Sequence, residues 1–160
     1  MSINTTASSS SEEIQNFIFF ELAGTTYGIE ATYVQQMDTV ERITPVPNAL
    51  SFVEGVVFSR GQVLPVLNLR VRFGFEKIPY DIRTRSIVVR HQQRTVGLIV
   101  DTAREFISLT NNVIQPLPEG ISGLSGKYLK GIITLENRVV LVLNVEELLK
   151  VEETPIVAGE

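Results

Sequence analysis

The chain of 160 residues has no cysteine and a single histidine, His91. Without cysteine there is no disulfide, no thiolate metal site and no thiol nucleophile. One histidine cannot build an ordinary zinc site. A Ser-His-Asp triad would hang on His91 alone, which ends an apolar run beside Gln92-Gln93 and reads as an exposed turn residue. No stretch approaches the roughly 18 apolar residues of a membrane-spanning helix. Positive charge is in short supply too, with 14 Lys and Arg against 18 Asp and Glu, a net charge of −4 and a pI near 5.1. That balance weighs against a nucleic-acid binder, which needs cations for the phosphates, and leaves no polybasic segment for an anionic membrane. P-loop, GxGxxG and calcium-loop patterns are missing. The loosely Gly-rich stretch from Gly120 to Gly126 lacks the Lys and following helix of a phosphate cradle, and reads as a mobile loop. The carboxylate pairs Glu12-Glu13, Glu146-Glu147 and Glu152-Glu153 are sequence neighbours, which do not face one point on a helix. Asp101 follows an apolar strand and is given a strand-end turn role. No catalytic group, cofactor or metal is expected, and the chain reads as a non-enzyme.

What is present is apolar and short-ranged. Hydrophobic residues make up 44% of the chain and mean hydropathy is slightly positive, enough for a real core with disorder confined to the ends. Residues 1–14 form a Ser/Thr-rich tail with neither a basic start nor an apolar signal core, so no secretion signal is expected. Residues 152–160 read as a second flexible tail. Between them, 15–151 reads as one folded unit in the cytoplasm. Short Val/Ile/Leu/Phe runs predict strands at 17–22, 26–29, 40–43, 55–59, 63–67, 86–90, 95–100, 106–109, 131–135 and 139–143. Arg60-Gly61 and Glu136-Asn137 each separate two such runs and predict tight hairpins. Helix is scarce. A short helix is expected over 31–38, with Val34 and Met37 three apart, one turn over 69–73, and a final helix over 145–150 capped by Asn144. Many short strands with little helix indicate small barrels or a sandwich.

The chain also repeats itself. Residues 52–69, FVEGVVFSRGQVLPVLNL, align without a gap to 128–145, YLKGIITLENRVVLVLNV, at an offset of 76. Gly55 matches Gly131, Val66 matches Val142 and Asn68 matches Asn144, and the hairpin tips coincide. A weaker match at an offset of 69 pairs 17–29 with 86–98, Gly28 falling on Gly97. Two related units of about 70 residues follow, near 17–75 and 86–150. Units this small are marginal alone, so a shared apolar interface is expected, with strands open to exchange between them.

Arg60 stands out at its hairpin tip, because a guanidinium on a rigid turn suits interface recognition; a solvated turn charge is the alternative. Val34 and Met37, as one face of a short helix, fit a core or an interface. From Tyr27-Gly28-Ile29-Glu30 and Val34-Gln35, through Gly55, Arg60-Gly61, Leu64-Pro65-Val66 and Leu69-Arg70, to Val96–Asp101 and Tyr128–Asn144, the order and spacing resemble the CheW family. That resemblance implies a mainly β fold of two fused five-stranded SH3-like barrels with a few short helices. It implies an adaptor coupling the cytoplasmic tip of a transmembrane chemoreceptor to the regulatory domain of a CheA-type histidine kinase, in the cytoplasm at receptor arrays on the inner face of the membrane. The positions matching the family's receptor groove are Val34, Met37 and Arg60, and kinase contacts would use the barrel ends. The family commonly reads Asn-Leu-Arg-Gly at the hairpin where this chain has Phe58-Ser59-Arg60-Gly61, and Asp-Leu-Arg where it has Asn68-Leu69-Arg70. Those departures raise a paralogous scaffold for a non-flagellar array. A small-ligand-binding or hydrolytic β-barrel is the alternative from another class, and needs converging polar groups that the sequence does not display.

Overall fold

A computed structural model describes residues 13–110, 113–121 and 124–150. Ten strands run through them: β1 (Ile14–Leu22), β2 (Thr25–Glu30), β3 (Val34–Thr39), β4 (Val53–Ser59), β5 (Gln62–Asn68), β6 (Arg85–His91), β7 (Arg94–Val100), β8 (Thr102–Thr110), β9 (Leu129–Leu135) and β10 (Arg138–Leu143). A 3₁₀ turn (Ala31–Tyr33) and three short helices complete them: α1 (Leu69–Arg72), α2 (Leu124–Lys127) and α3 (Val145–Lys150). The tails expected at 1–14 and 152–160 lie outside the described residues except at Glu13 and Ile14, and Ile14 already belongs to β1. The loop expected around Gly120 to Gly126 falls partly outside them as well, and its second half enters α2.

The strands form two five-stranded sheets, ordered β3-β6-β7-β5-β4 in barrel I and β8-β1-β2-β10-β9 in barrel II. Replacing each strand of the first unit by its counterpart in the second converts one order into the other. β1 and β2 of the first unit sit in barrel II, whereas β6 and β7 of the second sit in barrel I, so the units exchange their first hairpins. The registers obey the same rule. Val66 lies opposite Gly97 in the parallel pair of barrel I, and Val142 opposite Gly28 in that of barrel II. Met37 pairs with Ile87 and Phe106 with Ile18, each next to a bulge at the same place.

Closure is also duplicated. Thr44 bridges Val56 and Gln115 bridges Ile132, joining the free edges of each sheet. These crossings require glycine. A Cβ on Gly55 would collide with the Thr44 carbonyl, and one on Gly131 with that of Gln115. The Asn shared by the repeats is explained as well. Asn68 N–H donates to the Phe52 carbonyl and its Oδ1 accepts from Val71 N–H, while Asn144 does the same with Tyr128 and Glu147. Asn144 is thus the cap of α3, as its place before Val145 led us to expect.

Two expectations are overturned in the first unit. Residues 31–38 make one 3₁₀ turn and then β3, with Val34, Gln36 and Asp38 facing inward and Gln35, Met37 and Thr39 outward. Apolar residues three apart fit a helix locally, but pairing along β6 satisfies the backbone and decides otherwise. Residues 40–43 are not a strand: the chain crosses there to reach the Thr44 bridge.

β1 is buried on both faces, which is why it reads as a continuous apolar run rather than an alternating one. Phe17 and Phe19 fill barrel II with Ile133, Val140 and Val142. Ile18, Phe20 and Leu22 point the other way, into a core shared with Ile87, Val89, Leu98, Val100, Leu143 and Leu148. A polar clasp crosses the same junction. The Arg70 guanidinium binds both oxygens of Asp101 at 2.8 and 3.0 Å, and Asp101 Oδ2 also accepts from Ala23 N–H at 2.9 Å. Asp101 is therefore a structural clasp rather than a simple turn residue.

Gly55→Ala and Gly131→Ala are each expected to destabilise by about 2–4 kcal/mol or to prevent folding, since backbone rather than a movable side chain blocks the new methyl. Gly61→Ala, with open space around it, is expected to cost about 1 kcal/mol through its positive φ alone. Urea melts of the three variants check this ranking. Asp101→Asn is expected to cost about 1–3 kcal/mol. Arg70→Ala added to it should cost less than Arg70→Ala alone, because the two share the Arg70–Asp101 interaction while the bond from Arg70 to the Glu76 carbonyl is lost only with Arg70; a double-mutant cycle in urea measures the coupling.

Candidate partner-binding surface

His91 closes β6 opposite Arg94, and it is half-buried rather than exposed. Its ring meets Tyr33 edge-on, with centroids 5.8 Å apart, and its Nε2 lies 3.8 Å from the Glu146 carboxylate. Burial, and then the Glu30 and Glu146 carboxylates, raise the Tyr33 phenol above its usual range, so it stays a neutral hydroxyl near neutral pH. An open hollow of about 630 Å³ adjoins His91, lined by Gln92, Gln93, Arg94, Glu146, Leu149 and Lys150. Among the described residues no serine or threonine borders it. Among the described residues no three His, Asp or Glu side chains gather as a metal would need. A hollow of about 400 Å³ lies beside Phe19, Glu105 and Arg138, and among the described residues the barrel interiors themselves are largely filled. Barrel II is filled by its aromatics, and the gap in barrel I holds about 20 Å³, room for a water and far below the several hundred Å³ of a small-molecule site.

β4 and β5 meet in a two-residue turn, Arg60 at φ 49° and Gly61 at φ 83°. The turns at Ala23, Gln92 and Glu136 open on the same left-handed conformation. The strain at Arg60 is thus a habit of this fold's hairpins, and only the guanidinium sets this tip apart.

Val34, Met37 and Arg60 do not form one face. Residues three apart lie on opposite sides of a strand, and β3 obeys this. Val34 is half-buried against the core between the barrels, whereas Met37 points outward and is 40% exposed. Met37 follows Gln36 and Arg60 follows Ser59, two residues joined across the seam of barrel I. There the Gln36 amide donates to Ser59 Oγ at 3.3 Å and to the Asp38 carboxylate. Met37 and Phe58 lie one residue along from that bond on either side, both on the outer surface. Phe58 is 71% exposed and sits directly across from Val63, itself 62% exposed.

Phe58 and Val63 fall in the expected strands 55–59 and 63–67, and the sequence alone did not set them apart. The missing signal was the period of two. Val57 and Leu64 form an inward pair next to Phe58 and Val63, so one of the two neighbouring pairs had to face water.

Comparison with known proteins agrees with this architecture. The CheW-like domain family matches residues 16–153. Chemotaxis protein CheW of Klebsiella aerogenes is 36% identical over 143 residues, covering 89% of this chain and 86% of that protein. Its counterpart in Helicobacter pylori is 33% identical over 139 residues, covering 87% and 84%. The crystal structure of scaffolding protein TtCheW from Thermoanaerobacter tengcongensis superposes with a TM-score of 0.76 at 28% identity, covering 82% of this chain and 90% of that one. With its repeat, its exchanged barrels and a family match across the whole folded region, this chain belongs to the CheW-like domain family.

Proposed function

We propose that this protein is a chemotaxis scaffold that couples the cytoplasmic tip of a membrane chemoreceptor to the regulatory domain of a CheA-type histidine kinase, without catalysis of its own. Family membership over residues 16–153 carries the reading. The geometry supports it physically. The fold offers two related barrel exteriors locked into one body, and outward groups in place of a chamber. The whole of 15–151 acts as one unit in the cytoplasm, gathered at the inner face of the membrane by its receptor. Among the described residues no helix is long and apolar enough to cross a membrane.

Coupling in such a scaffold is geometric. A ligand or partner shifts an equilibrium only by its differential affinity for the two states. A rigid body that touches receptor and kinase together makes the fit at one contact depend on the state of the other. Met37 and Arg60 are the receptor-facing groups in this reading. Val34, half-buried behind them, supports β3 rather than meeting the receptor directly. The change to Phe58-Ser59 beside the kept Arg60 favours a paralogue serving an array of its own over an interchangeable copy.

Arg60→Glu is expected to weaken binding to receptor-bearing membrane vesicles by about tenfold or more, the scale of reversing an interfacial charge. Its circular dichroism spectrum should match wild type, since a hairpin-tip charge contributes little to stability. Co-sedimentation checks the first expectation. Equal binding by a folded Arg60→Glu protein removes Arg60 from the receptor contact.

A further inference from the structure

We propose that this chain exchanges repeats with a second copy of itself, the first unit of each copy completing both barrels around the second unit of the other. The inference rests on the strand topology and not on the adaptor reading. Among the described residues four of the eight strand pairings join the two units: β1 with β8, β2 with β10, β3 with β6 and β5 with β7. Polar bridges cross the same way, from Arg70 to Asp101, from Lys130 to Glu30 and from Arg72 to the Tyr128 hydroxyl. None of these contacts requires both partners to come from one chain. Each is reproduced when the first unit of one copy meets the second unit of another, so exchange alters only the connection between units.

That connection is built to open. It runs from the end of α1 to the start of β6, and 74–83 is exposed throughout, with neither strand nor helix. It is moored to the first unit by the bond from Arg70 to the Glu76 carbonyl at 2.9 Å and by the Lys77–Glu54 pair at 3.0 Å. Beyond these, Pro79 biases Ile78 toward extended backbone, and the segment reaches about 35 Å when drawn out. A short connector gives the units of one chain an effective concentration on the order of millimolar. Exchange therefore competes when the chain refolds at such a concentration. A dimer formed that way outlives dilution, because the crossing ladders must break before it reverts.

The units also discriminate between like and unlike partners. At the offset of 69, Ser86 and Val88 on β6 match Phe17 and Phe19 on β1. Phe17 and Phe19 fill barrel II, whereas the free space beside Ser86 and Val88 in barrel I is about 20 Å³. Joining two first units would drive phenylalanines into that gap, and joining two second units would leave a hole where they belong. Overpacking and cavities both destabilise. Only unlike units fit, and the smallest assembly that leaves none unpaired is two chains. That dimer carries two complete bodies, and with them every outward surface twice.

Charge reversal across the clasp separates exchange from any other association. Arg70→Asp sets two carboxylates against each other, and Asp101→Arg two guanidiniums, in the monomer and in a dimer of either variant alone. When the two variants exchange repeats, one body regains the natural pair and the other holds it reversed. The two full-length variants, one isotope-labelled, are unfolded in urea, co-refolded at about 1 mM, and sized by gel filtration and native mass spectrometry. A mixed dimer is expected, about tenfold more abundant than the dimer of either variant refolded alone, since facing like charges are strongly unfavourable. Wild type refolded at about 1 mM should also give dimer that persists on dilution, and only monomer when refolded at about 1 µM. Dimer in equal yield from mixed and separate pools is side-by-side association and overturns the exchange, as does a folded mixture that stays monomeric. Should neither variant fold in any pool, wild type decides: dimer that persists on dilution upholds the exchange, and monomer alone or dimer that dissociates at once overturns it.

Discussion

Everything in this structure depends on two strand pairings that cross between the repeats: β8 along β1, from Ile14–Thr110 to Glu21–Thr102, and β3 along β6, from Val34–Val89 to Thr39–Arg85. Each unit gives its first hairpin to the other unit's barrel. Neither barrel closes without the other, so separating them breaks backbone ladders in both. The shared core follows from this. β1 and β2 of barrel II and β6 and β7 of barrel I are back to back, and their inner faces bury Phe20, Ile29, Val89 and Leu98 together. Two units that would be marginal alone thereby gain a core that belongs to neither.

Within that frame the repeats have diverged in opposite directions inside and out. Positions filled by Phe17 and Phe19 in barrel II hold Ser86 and Val88 in barrel I. Ile107 and Leu135 correspond to Asp38 and Ser59. Barrel II is filled by Phe17 and Phe19 among aliphatic side chains, and an Arg138–Glu105 ion pair at 2.9 Å links β10 to β8. Barrel I closes its seam with the Gln36, Asp38 and Ser59 hydrogen bonds. The matched residues Phe52 and Tyr128 hold the Arg72 guanidinium, 4.5 and 4.7 Å from their ring centres, and Arg72 also donates to the Tyr128 hydroxyl. The position matching Arg72 is Leu148, fully buried. One cation thus serves both repeats from a site where the second carries an aliphatic core residue.

How much of this was legible varies with how local the cause is. The hairpins at Arg60-Gly61 and Glu136-Asn137, the Asn144 cap and the helix at 145–150 are set by neighbouring residues, and the sequence displayed them. The duplication was legible because a gapless match from hairpin to helix has no local explanation. It even allowed for strand exchange, although which strands crossed is decided by tertiary pairing. β3 was misjudged as helix because Val34 and Met37 fit either period, and only the distant β6 edge separates the two. The outward orientation of Phe58 was hidden for the same reason: in a run such as Gly-Val-Val-Phe-Ser the alternation is visible only once a partner strand shows which face is inside. Asp101 announced a strand end, and its grip on Arg70 and Ala23 needed the fold.

These features bear on what such a body can transmit. With strands exchanged and a clasp of Arg70, Asp101 and Ala23 across the junction, the barrels have no cheap way to rotate against each other, because movement would break ladders and buried contacts at once. An adaptor of this kind does not relay a signal by changing its own shape. It converts a displacement of one partner into a misfit at the other, and the free energy of coupling then resides in the side chains that touch the partners. Substitution at outward positions such as Phe58, Arg60 and Met37 leaves the exchanged ladders intact. The divergence between the two hairpins inside this one chain already has that form: the register and the crossing glycines Gly55 and Gly131 are kept, while Phe58 gives way to Thr134 and Arg60-Gly61 to Glu136-Asn137.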